Sequence, residues 1–220
     1  VISKDSPYHL STPAIKSLEV VADFHLNIAI PRMVTNANKL LQSHDKMSIQ
    51  YGGIISLRSP NVANLLDESS KPTLRAFVSN PSVTSKAVTL NRALKVDWMR
   101  QYAIEQIKQL TSADLSKVIA NPSHEIIDRA VELIISVKNY DQANKTVDDV
   151  IKIASLMNDS QLQKVLQAAK DGKADLQGAY GFDKLLNALA NHGSIERDRI
   201  RNLLNDFEIL EPNWDEPIDD

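Results

Sequence analysis

Apolar residues recur along this chain at intervals of three and four, the spacing of one helix face, in one stretch after another. The clearest stretch is 110–138. A short piece with Leu115, Val118 and Ile119 inward meets a break at Asn121-Pro122, and a longer helix follows through Ile126, Ile127, Ala130, Val131 and Ile134. Proline cannot sit inside a helix without losing a hydrogen bond, and it restricts the residue before it, so the Asn-Pro pair marks a boundary.

Other segments follow the same grammar. Ser11-Thr12-Pro13 caps a helix with Ile15, Leu18, Val21 and Phe24, interrupted at Pro31. Met33, Val34, Ala37, Leu40 and Leu41 form the next. Ser59-Pro60 opens a helix with Val62, Leu65 and Leu66 inward. Asn80-Pro81-Ser82 opens one long helix through Leu90, Leu94, Trp98, Tyr102 and Ile107, bent near its middle. After a polar loop at 139–145 come helices on Val147/Val150, Leu162/Val165/Leu166, Phe182/Leu185/Leu189 and Ile200/Leu203/Leu204, the last capped by Ser194. Met47 to Ile55 has two readings. Gly52-Gly53 is a hairpin-turn signal, but an isolated hairpin is marginal, so a loop plugging a helical core is preferred.

The expected fold is therefore all-α, with eight to ten helices in an irregular bundle or a short α-solenoid. The expected organisation is a lead-in at 1–10, a helical domain at 11–207 with a possible sub-boundary near 43–58, and an acidic extended tail at 208–220. A degenerate repeat is visible in two registers. Apolar triplets beginning at 15, 62, 115 and 162 lie 47, 53 and 47 residues apart, and Asn80-Pro81-Ser82 lies 41 residues before Asn121-Pro122-Ser123. Periods of this size belong to stacked helical units.

Composition supports helices: only 6 glycines and 5% aromatic residues, too few of either for a strand-rich fold. The net charge of −3 hides an asymmetry, because seven acids and no Lys or Arg fall in 206–220 and leave residues 1–205 at +4. That mild basicity does not predict a nucleic-acid partner. Cysteine is absent, which excludes disulfides and thiolate chemistry and suits a cytoplasmic protein. No apolar run reaches the roughly 20 residues of a membrane span. The chain opens on Val1, as expected of a region excised from a longer protein.

Site chemistry is sparse. None of the five histidines has a second one three or four residues away, so no metal ligand set and no cofactor is expected. Asp141 and Asp148-Asp149 lack a calcium-loop pattern and read as acids at a helix start. Gly178-Ala-Tyr-Gly181 reads as a helix–helix turn, and no catalytic motif supplies a catalytic residue.

Two surface features remain. The first is basic: Arg197 and Arg201 share a helix face, and Arg92, Lys95 and Arg100 lie on the long helix. The second is the tail, where Trp214 stands among Asp215, Glu216 and two prolines. Trp214, Asp215, Glu216, Arg197 and Arg201 are the expected contacts to a partner protein, with a fold-back of Trp214 onto the last helix as the other reading. Arg92, Lys95 and Arg100 would serve an anionic membrane surface or phosphoinositide instead. The Asn-, Gln-, Lys-, Ser- and Ile-rich helical style resembles helical regions of large effectors secreted by intracellular bacteria. That resemblance implies a place in a host cytosol, while apolar residues committed to helix faces, sparse site chemistry and the charged tail point to a non-enzymatic interaction module of a larger protein. An enzyme built from dispersed carboxylates and histidines is the third reading.

Overall fold

The computed structural model describes residues 25–212 and Trp214, except 83, 118, 175, 178 and 192–194. Among these residues the chain is all-α, with twelve helices, ten of them seven residues or longer, and no strand. It divides into two compact units. One is Val1–Val83 with Lys95–Met99, and the other is Thr84–Leu94 with Arg100–Asp220. The expected helix at Ser11–Phe24 lies outside the described residues.

In the first unit a π-helical turn, His25–Ala29, runs directly into α1, Ile30–Leu41. Pro31 sits in the first turn of α1, where a missing N–H costs nothing, so it starts a helix instead of interrupting one. α2 spans Lys46–Arg58, α3 Pro60–Asn64 and α4 Lys71–Ser79. Asp45 caps α2 by accepting from Ser48 N at 2.7 Å and Ser48 Oγ at 2.8 Å. The Ser48 backbone and hydroxyl bonds hold the Asp45 carboxyl below its ordinary range.

α2 overturns both readings of Met47–Ile55: the Gly-Gly pair lies mid-helix. A Cβ on Gly53 would fall 2.4 Å from the Phe77 ring, and one on Gly52 would fall 3.0 Å from the Leu41 backbone nitrogen. The glycines are there so that α1 and Phe77 can close onto α2. Tertiary packing outweighs a propensity cost of about 1 kcal/mol per glycine. Leu65 also departs from expectation, being 61% exposed. α3 has only five residues and Leu65 is its C-cap, so the helical period stops there and Leu66 turns inward instead.

The expected long helix from 80 to 107 is broken. α5 spans Lys86–Ala93 and α6 spans Arg100–Ile107, separated by a 3₁₀ turn at Asp97–Met99. Residues 95–99 belong to the first unit. There Asp97 exchanges two bonds with the Asn64 side chain, at 3.0 and 3.1 Å, and Trp98 Nε1 donates to Ala63 O at 3.1 Å. These anchors cost the segment its helical continuity.

The second unit contains α5, α6, α7 (Ser112–Leu115), α8 (His124–Ile135), α9 (Tyr140–Ala154), α10 (Asp159–Lys170), α11 (Tyr180–Asn191) and α12 (Arg197–Phe207). Each helix packs on the one two places along, giving two rows: α5, α7, α9, α11 and α6, α8, α10, α12. Each row buries an apolar stripe that no single helix pair could cover alone. α8, α10 and α12 begin at His124, Asp159 and Arg197, 35 and 38 residues apart. The triplets at 115 and 162 sit in different rows, so their spacing of 47 compares helices that are not equivalent. Val118 of the first triplet lies outside the described residues.

Polar links join successive members of a row. Asp128 accepts from Gln161 Nε2 at 2.7 Å, Asp159 pairs with Arg199 at 2.7 Å, and Asp148 pairs with Lys184 at 3.0 Å. Asp149 accepts from Ser112 Oγ at 2.7 Å. α9 begins at Tyr140 with Asn139 as its cap, so the polar stretch 139–145 is helical, and Asp148-Asp149 lie mid-helix facing neighbours. Gly181 is also helical. It lies in the first turn of α11, where its N–H donates to Asn144 Oδ1 at 2.8 Å and a Cβ would fall 2.9 Å from Asn144 Cα. α12 follows Glu196, which makes no side-chain cap, and Ser194 lies outside the described residues.

The Asn-Pro-Ser register of 41 has a physical basis. Ser82 N donates to Gln50 Oε1 at 2.9 Å in the first unit, and Ser123 N donates to Asn91 Oδ1 at 2.8 Å in the second. Each acceptor is a buried amide 32 residues upstream. Asn91 also donates to Asn121 O at 3.2 Å, holding Asn121 in a left-handed turn (φ 52°).

Two outcomes test this account. Gly53→Ala gains about 1 kcal/mol of helix propensity but overpacks the buried Phe77 ring at a cost of about 1–3 kcal/mol, so it lowers the denaturation midpoint. In a Phe77→Leu background the same change raises it; an unchanged sign would remove the steric explanation. Asn91→Ala leaves the Ser123 N–H and Asn121 carbonyl without partners and lowers stability by about 2 kcal/mol in urea unfolding.

Candidate functional site

Three of the candidate residues, Arg197, Arg201 and Trp214, converge on a surface at the end of α12. Arg197 and Arg201 lie one turn apart on its outer face, while Ile200, Leu203 and Leu204 fill the inner face. The helix ends at Glu208, a left-handed residue (φ 59°, ψ 36°), and Ile209 N then donates back to Leu204 O at 2.9 Å. This closure buries Ile209 and reverses the chain. The described part of 208–220 therefore folds back on α12 instead of running out as an extended tail.

Trp214 lands on the two arginines. Its ring centroid is 5.4 Å from the Arg197 guanidinium and 5.7 Å from that of Arg201. Trp214 Nε1 donates to Glu211 Oε2 at 2.9 Å, and Arg201 Nε donates to the same oxygen at 3.3 Å. Arg201 reaches Asp198 as well, at 3.3 Å. Arg197 has no carboxylate partner among the described residues; its other contact is Asn191 Oδ1 at 3.4 Å. Each cation–ring contact contributes about 0.5–1 kcal/mol at an exposed site. Glu211 offsets the mutual repulsion of the guanidinium groups. The result is a half-buried aromatic face with one positive charge that no carboxylate of the described residues neutralises.

Asp215 and Glu216 lie outside the described residues. The other basic group does not assemble as expected. Arg92 is exposed in the last turn of α5, but the helix ends at Ala93 and Lys95 falls beyond it, in the segment of the first unit. Arg100 opens α6 and is ion-paired to Glu125 at 3.1 Å. The single long helix expected to carry Arg92, Lys95 and Arg100 is absent because the Asp97 and Trp98 anchors break it.

The first unit holds a counterpart that sequence reasoning missed. Trp98 lies 5.4 Å from Lys71 Nζ and 5.5 Å from the Arg75 guanidinium, again two cations one turn apart on a single helix. The available signal was the Lys71/Arg75 spacing; the Trp98 position depended on the break at 95–99. Glu211 was missed as the acceptor shared by Trp214 and Arg201 because it read as one acid in a run.

Among the described residues no group of three or more His, Asp and Glu could hold a metal ion. His124 Nδ1 lies 2.8 Å from Asp128 on an exposed face. His9 and His192 lie outside the described residues. No described helix is long and apolar enough to cross a membrane. No protein-family model, no curated protein and no solved structure matches this chain.

The stacking has an optical consequence. In a Trp98→Phe background the remaining tryptophan reports on the α12 face. Replacing Arg197 and Arg201 by Ala there raises acrylamide quenching of Trp214 emission, and unchanged quenching would mean that the ring is not held by the arginines.

Proposed function

We propose that the chain is a non-enzymatic helical module that binds another protein through the α12 face. The observation that supports this reading is the convergence of Trp214, Arg197 and Arg201. Trp and Arg are the residue types that dominate binding energy at interfaces, because each brings a large contact area together with directional polar groups. Here they are partly exposed, ordered by one another, and served by Glu211. A pre-positioned aromatic face loses little side-chain entropy when a partner covers it. Arg197 offers the partner a charge that no carboxylate of the described residues occupies. The stacked rows of the second unit supply a rigid support, since each helix is held by the next through buried apolar contacts and the polar links above.

The membrane-surface alternative draws no comparable support, since Arg100 is already ion-paired and Lys95 lies off the helix.

The test is quantitative affinity capture with the parent chain and with an Arg197→Glu/Arg201→Glu variant of unchanged thermal stability. The expected result is a protein held by the parent and weakened at least tenfold on charge reversal, with the same loss when the purified pair is mixed. Equal retention by both forms would remove this face from the interaction.

A further inference from the structure

A second surface of the same unit faces outward from α10. Its buried stripe, Leu162, Val165, Leu166 and Ala169, packs into the stack. Its opposite stripe, with Gln163, Lys164 and Gln167 at helical spacing, floors a groove of about 470 Å³. The walls are the last residues of the flanking helices in the row: Ile135 of α8 and Phe207 of α12. Both wall residues are half-buried.

The charge of this surface is specific. Asp171 is taken up by Lys173 at 2.8 Å and Gln167 at 2.6 Å, and Lys173 and Gln167 together hold its carboxyl below the ordinary range. Lys170 is paired with Glu208 at 3.3 Å. Lys164 on the floor and Lys138, which lines an adjoining cavity of about 420 Å³ at the same end of α10, have no ion-pair partner among the described residues. Gln163 is half-buried in the floor, and an amide can both donate to and accept from a peptide backbone.

We infer that the α10 groove docks an extended acidic peptide of a partner protein, with an apolar side chain between Ile135 and Phe207 and carboxylates at Lys164 and Lys138. Gln163 pairs with the peptide backbone. Charge complementarity selects the acidic partner: among the described residues, Lys164 and Lys138 are without an ion pair, whereas Asp171 and Glu208 are already engaged. Half-burial of both apolar walls favours a peptide over a membrane, because an interfacial anchor needs fully exposed apolar side chains that protrude into the lipid. This inference rests on the interaction-module reading but not on the Trp214 face.

Selection of random twelve-residue peptides displayed on phage against the full chain tests it. The expected outcome is a consensus of Leu, Ile or Phe flanked by Asp or Glu. Synthetic peptides of that consensus then bind at least tenfold more weakly to Lys164→Glu and to Phe207→Ala. They bind unchanged to Trp214→Ala, and thermal melts confirm that each variant is folded. A basic consensus, no consensus, or peptides indifferent to Lys164→Glu would overturn the groove. Peptides lost with Trp214→Ala but not with Lys164→Glu would overturn it while leaving the interaction module standing. Vesicles of phosphatidylcholine with one-third phosphatidylserine form the parallel arm. Binding to them that falls with Lys164→Glu, in the absence of any selected peptide, would assign the surface to anionic lipid and overturn the peptide.

Discussion

A buried or half-buried side-chain amide reaching a backbone N–H some thirty residues further on is the interaction on which the rest of this structure depends. Asn38 holds Asp67 N at 3.1 Å, Gln50 holds Ser82 N, Asn91 holds Ser123 N, and Asn144 holds Gly181 N. In every case the amide sits on a helix and its partner lies in the turn before a later helix or in that helix's first turn. An apolar stripe fixes which face of a helix is buried, but it leaves the helix free to slide along its neighbour. A directional bond from a fixed position removes that freedom. Because the amides are largely withdrawn from water, leaving one unpaired costs more than the bond itself is worth, which makes the chosen register strongly preferred.

Close approach is the second constraint, and glycine provides it at two places. Gly53 admits the Phe77 ring against α2, and Gly181 admits the Asn144 backbone against α11. Both glycines sit inside helices, where they are unfavourable by propensity. Their positions make sense only when the neighbouring element is included. The polar groups within each row then do different work from the apolar ones. Asp128, Asp148, Asp149 and Asp159 each engage a side chain of an adjacent row member, so acids that look redundant along the sequence are spent on stacking.

The helical period located nearly every helix, because an amphipathic stripe is a local property. α8, α10 and α11 fall where their apolar residues place them. Pro31 and Leu65 departed for local reasons, at a helix start and a helix end, whereas the two larger failures each depended on a contact distant in sequence. The Gly52-Gly53 stretch is helical because of Phe77. The helix after Ser85 stops at Ala93 because Asn64 and Ala63 hold Asp97 and Trp98. The same limit applies to the site. Arg197 and Arg201 were legible as one face because they belong to one helix, whereas Glu211 as shared acceptor and the return of Trp214 required the left-handed turn at Glu208, a residue type with no preference for it.

The direction of the amide bonds has a consequence for how the chain acquires its shape. In all four the helix-borne group precedes the turn it holds, by 29, 32, 32 and 37 residues. α11 is the extreme case. Its first two N–H groups rest on the Tyr140 hydroxyl and the Asn144 amide of α9. During synthesis the holding group therefore emerges before the segment it will hold, and each finished helix pair presents a template for the next. Within the second unit the earlier helices therefore carry the acceptors that later turns use before those turns have been made.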